Sequence, residues 1–88
     1  MSPNQFSAMP VSHQLRWVYF EGEFITSIRY YQFKVNLYRV EDFLVEVFYD
    51  PKADRIAKVE LMMRYSTRMK FYADQVKLPA DIDRLTSH

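Results

Sequence analysis

The stretch FKVNLYRVEDFLVEVFY, Phe33 to Tyr49, decides the fold, because two runs of alternating apolar residues meet at the acidic pair Glu41-Asp42. Alternation of this kind marks strands that bury one face. Phe33, Val35 and Leu37 share one side of the first run, and Val45, Val47 and Tyr49 share one side of the second. If the hairpin has one dry face, both sets belong on it. A three-residue loop, Val40-Glu41-Asp42, then sets Leu37 opposite Val45, Val35 opposite Val47 and Phe33 opposite Tyr49. A two-residue loop would send the two sets to opposite sides, which a half-buried hairpin does not tolerate.

Working outward, Asp50-Pro51-Lys52-Ala53-Asp54 reads as a turn: an aspartate can accept a local backbone bond while proline presets φ. A third strand follows from Ile56 to Met63, with Ala57, Val59, Leu61 and Met63 extending the same dry face and Lys58 and Glu60 on the other. Upstream, Phe24 to Tyr31 mixes β-branched and aromatic residues and suggests a fourth strand. Tyr31-Gln32 lacks the glycine or asparagine of a tight turn, so a bulge or bend competes there with a reversal. Beyond Met63 the spacing becomes helical. Thr67 suits an N-cap, and Met69, Tyr72, Ala73 and Val76 recur on one stripe. Lys70 and Asp74 stand four apart on the far side, Lys77 complements the C-terminus and Pro79 ends the helix. Ile82 and Leu85 suggest one further partial turn.

Residues 12–22 carry two readings. Ser12 can cap a short helix with Leu15, Val18 and Tyr19 on one face and Gly22 past its end, whereas Trp17 to Phe20 have strand propensity. The helix is preferred. Residues 1–11, with Pro3 and Pro10, read as a flexible leader from which Phe6 or Met9 could dock. The expected architecture is therefore α+β: a three- to four-stranded antiparallel meander packed on one face by a C-terminal helix, forming one domain over residues 12–88.

Composition narrows the function. At 49% hydrophobic and 17% aromatic, the 88 residues can form one modest core, and the chain should fold. There is no cysteine, which excludes disulfides and thiolate metal sites. Together with the absence of a secretory-type or membrane-spanning run, this points to the cytoplasm. Gly22 is the only glycine, so loops that cradle phosphate with several glycines are ruled out. His13 and His88 lack partners for catalysis, and neither histidines nor acids show a metal-ligand spacing. No cofactor, metal or catalytic residue is assigned.

The remaining candidates lie on the even-numbered side of the hairpin, where Lys34, Asn36, Tyr38, Leu44, Glu46 and Phe48 would form a mixed surface. Its apolar members call for a cover, either the segment Leu15 to Phe20 or another molecule. Glu46 would pair there with Asn36 and with Lys34 or Lys58. The expected function is a non-enzymatic interaction module, with self-association through a sheet face or edge or a protein partner. Single-stranded nucleic acid is the alternative ligand. Arg29-Tyr30-Tyr31 and Arg64-Tyr65 interleave base and ring, but the net charge of only +1 opposes it.

The block KVNLYRVEDFLVEVFYDP, Lys34 to Pro51, with RMKFYADQVKLP, Arg68 to Pro79, resembles small uncharacterised proteins of Bacteroidetes bacteria. These share an LY, a VEV-aromatic-Tyr segment and a C-terminal helix. The resemblance implies a free-standing cytoplasmic protein and carries over no functional residue.

Overall fold

The computed structural model describes residues 1–62 and 68–75. Two helices, α1 (Pro3–Ala8) and α2 (Val11–Glu21), precede four strands, β1 (Gly22–Tyr30), β2 (Phe33–Val40), β3 (Phe43–Asp50) and β4 (Arg55–Leu61), and α3 (Met69–Gln75) follows. The strands form one antiparallel meander in chain order. The α+β class and the packing of the C-terminal helix on one face are as the sequence indicates, and β1 is the fourth strand.

The register is not. Val40 pairs with Phe43 and Tyr38 with Val45, so the loop is the two-residue turn Glu41-Asp42, with Glu41 at φ 53° in its first central position. Primed hairpin turns demand that conformation, and they match the twist of the strands they join. Consequently Val35 lies opposite Phe48 and Leu37 opposite Glu46, while Val47 lies opposite Asn36. Val35 and Val47 stand on opposite sides of the sheet. The assumption that failed is the single dry face: both faces are covered. On one, Ile28, Val35, Leu37, Leu44 and Phe48 pack with Met62 and with Met69 and Tyr72 of α3. On the other, Val40, Val45 and Val47 pack with Phe6 of α1 and Val18 of α2, bordered by Leu15, Trp17, Val59 and Leu61. From Leu44 to Phe48 every residue of β3 is buried. Such a strand reads as a near-continuous apolar run, which FLVEVFY is.

Bulges fit the outer strands to this sandwich. Phe24 pairs with Tyr38 and Thr26 with Leu37, leaving Ile25 as an extra residue. The phase of β1 shifts there, so Phe24 meets Tyr38 on the α2 side while Ile25 reaches the α3 side. A second irregularity falls at Ala57, which is exposed rather than part of a dry face. Tyr31-Gln32 is a tight reversal, with Tyr31 at φ 55°. The Asp50 turn forms as its sequence indicates: the Asp50 Oδ1 accepts from the backbone N–H of Lys52 at 3.0 Å and of Ala53 at 3.2 Å.

Where the sequence suggests a flexible leader, the structure has a helix. Ser2 and Gln5 form a reciprocal capping box with Pro3 just inside it, and Phe6 is fully buried, its ring edge-on to Phe43 at 5.6 Å. Gln14, buried on α2, donates through Nε2 to the Phe6 carbonyl at 3.0 Å, which also accepts from the Met9 N–H at 3.1 Å, so the end of α1 is tied to the next helix. Residues 11–21 are helical, but Pro10 rather than Ser12 is the N-cap. Within α3, Met69 and Tyr72 are buried and Lys70 is exposed. The readings placed on Met63, Thr67, Val76, Lys77, Pro79, Ile82 and Leu85, and on the side chains of Ala73 and Asp74, lie outside the described residues. Among the described residues no helix is long and apolar enough to cross a membrane.

Gly22 joins α2 to β1 with no linker between them. A Cβ there would stand 2.4 Å from the Val18 carbonyl oxygen, which is backbone and cannot rotate away. Gly22→Ala should therefore destabilise the domain by about 1–3 kcal/mol, the usual range for forced overpacking. Thermal unfolding followed by circular dichroism checks this, and an unchanged midpoint would show that the junction has room to give.

Candidate functional site

The two-residue turn divides the mixed surface expected from the sequence. Lys34, Asn36 and Tyr38 fall on the side of α1 and α2, and Leu44, Glu46 and Phe48 on the side of α3. The last three are buried, and Tyr38 is half-buried between the rings of Tyr19 and Phe24, at 6.1 and 5.6 Å. The six residues do not form one surface. Tyr38 is covered by Tyr19 of α2, within the segment Leu15 to Phe20 that was one of the two covers expected, whereas Leu44 and Phe48 are covered by α3.

Glu46 is 0% exposed at the centre of the α3 side. Its partners are not Asn36, Lys34 or Lys58. Arg68, immediately before α3, donates from Nε to both carboxylate oxygens at 3.0 and 2.9 Å and from Nη2 to Oε1 at 2.8 Å. The Tyr72 hydroxyl, one turn into α3, donates to Oε2 at 2.9 Å. A carboxylate offers about four acceptor directions, and here each oxygen receives two donors. Glu60 stands directly opposite Glu46 on β4. The like charges are bridged because Arg68 Nη2 also reaches Glu60 at 3.4 Å. The guanidinium lies over the rings of Tyr30 and Phe48, at 5.5 and 5.3 Å. Lys58 instead pairs with Glu60 at 3.2 Å and covers the outer face of Phe48 at 4.5 Å.

The electrostatics follow from this geometry. Hydrogen bonds to Glu46 hold the Arg68 guanidinium protonated even more firmly than usual. Burial, reinforced by the negative charge of Glu46, pushes the Tyr72 hydroxyl well above the ordinary tyrosine range. Arg68 therefore stays charged and Tyr72 keeps its proton, and both are engaged with Glu46. A general base needs an oxygen aimed at a substrate proton, and Glu46 aims both of its oxygens at its own chain. The cluster is a clasp that fixes α3 to the sheet.

A different surface stands open. Around the C-terminal turn of α2, Phe20 is 81% exposed and Tyr19 and Phe24 are more than half exposed. Beside them lies a cleft of about 210 Å³ lined by Arg16, Trp17, Phe20 and Glu21. In the sequence Trp17 and Phe20 stand out only as strand formers or as a cover for the hairpin. The available signal was that Val18 and Leu15 satisfy the inward face of a helix and leave Trp17 and Phe20 on another. Compared with protein-family models, with curated proteins and with solved structures, the chain matches none.

Proposed function

We propose that this domain is a small non-enzymatic interaction module of the cytoplasm that receives an apolar protein segment on the aromatic face at the α2–β1 junction. The observation that carries this reading is the exposure of Phe20 beside the cleft at Trp17. Clustered exposed rings beside a concavity, flanked by charge, have the make-up of interaction hot spots. The saturation of Glu46 supports the non-enzymatic part. Nucleic acid is not favoured. A base-stacking sheet presents its rings on an open face, and here α3 covers one face and α1 and α2 the other.

A displayed random-peptide library panned on the wild-type domain, with Phe20→Ser as counter-selection, tests the reading. Phe20→Ser should melt within a degree or two of wild type, since surface changes usually stay within about 0.5 kcal/mol. Enrichment of apolar peptides that bind wild type and not the variant is the expected result. Peptides that bind both equally, or no enrichment, would overturn it.

A further inference from the structure

We infer that the occupant of the α2 face is a second copy of the same chain, docked with its own α2 side by side and parallel. This rests on the reading of that face as a docking surface. Residues that share one flank of a helix recur at three and four positions, and His13, Arg16, Trp17 and Phe20 do so on α2, with Trp17 bordering the buried Gln14 and Val18 and the others turned away from them. Trp17 and Phe20 are spaced as the a and d positions of a parallel helix pair, which makes Arg16 the preceding g and Glu21 the following e.

In a parallel pair related by a two-fold axis along the helices, each g residue faces the partner's e residue five positions on. Arg16 of each copy would thus meet Glu21 of the other, twice by symmetry, on the two flanks of an aromatic seam. The four residues lining the cleft supply the whole contact. Phe20 of one copy fills the space beside Trp17 of the other; Arg16, Phe20 and Glu21 are exposed, and Trp17 is half-buried against its own core. An antiparallel pair would instead bring like flanks together and leave Arg16 without Glu21 opposite. The sheet edges offer no equivalent match: β1 changes phase at Ile25, and β4 carries Lys58, both devices that discourage strand pairing. An α2 of 11 residues gives a short seam, so the pair is weak and concentration-dependent.

Sedimentation velocity over a concentration series reaching the millimolar range reads the association. Wild type should pass from monomer to dimer. Arg16→Glu and Glu21→Arg should each weaken self-association by about tenfold or more, because each sets like charges across both flanks. An equimolar mixture of the two variants should recover a dimer: one copy then carries acid at both positions and the other base at both, so opposite charges face each other on both flanks. Unchanged circular dichroism would show that both variants are folded. A wild type that stays monomeric, single variants that dimerise like wild type, or a mixture that does not recover would each overturn the inference. Phe20-dependent peptides from a monomeric wild type would overturn the self-pairing and leave the docking face in place; neither peptides nor dimer would remove both.

Discussion

Arg68→Met should destabilise the domain by about 3–5 kcal/mol, the range for removing one partner of a buried ion pair. The magnitude comes from what is left behind: Glu46 is wholly buried, and without the guanidinium its remaining donor in this set is the Tyr72 hydroxyl. Glu60, directly opposite, would then face it with only Lys58, among the described residues, to offset the like charge. The double variant Glu46→Leu with Arg68→Met should regain most of the loss, because hydrophobic replacement of a whole buried pair is often neutral or better. Urea unfolding of the two single variants and the double variant measures the coupling. Additive losses would show that Arg68 does not hold Glu46. Tyr72→Phe removes one hydrogen bond to a charged group, worth roughly 1.5–3 kcal/mol, and it also has a signature in pH. The Tyr72 hydroxyl is raised by burial first and by Glu46 second, so the folded state favours the neutral phenol. Its contribution is full below the unfolded tyrosine value of about 10 and is lost as pH rises above that. Tyr72→Phe should thus be less stable at neutral pH yet lose less stability above pH 10 than wild type. Parallel alkaline slopes for the two proteins would contradict the clasp.

The elements of the fold were legible and their mutual register was not, for one physical reason. Alternation identifies strands whatever lies beneath them, so β2, β3, β4 and the Asp50 turn follow from local pattern. Which side chains share a face depends on loop length, and that was inferred from an assumed single dry face. The even positions Leu44 and Phe48 contradicted the assumption within the sequence itself. With Glu46 neutralised by a partner 22 residues away, β3 is apolar on both sides, and the commonest hairpin, with two residues in its loop, needs no special pleading. Arg68 could not be matched to Glu46 by local reasoning, because the pairing exists only once α3 lies across the sheet. Met69 and Tyr72 show that the helical stripe itself was readable. The aromatic face on α2 was missed for a related reason: as long as helix and strand competed there, no set of outward positions was defined.

Phe6→Ala should cost about 3–5 kcal/mol, the usual loss when a buried phenylalanine is truncated. That is several times the effect of a surface substitution, and the contrast makes it decisive for the N-terminus. An unpacked leader predicts a change within about 0.5 kcal/mol. The structure predicts the larger value because the Phe6 ring has no exposure, sits edge-on to Phe43 and joins Val18, Val40, Val45 and Val47 in one cluster. Local chemistry favours α1 as well: the Ser2–Gln5 box satisfies two backbone donors and Pro3 presets the first helical φ. Those cues were present as Ser2-Pro3-Asn4-Gln5 and were outweighed by the two prolines. Gln5→Ala should therefore cost only about 0.5–2 kcal/mol, the worth of a cap. Gln14→Leu, which withdraws one of two donors from the Phe6 carbonyl and leaves the Met9 N–H in place, should cost about 0.5–1.5 kcal/mol, the net worth of one hydrogen bond. Urea denaturation ranks the three. If Phe6→Ala proves no worse than Gln5→Ala, α1 is an attached turn rather than part of the core; if Phe6→Ala costs more, the side of the sheet built from Val40, Val45 and Val47 is closed by α1 together with α2.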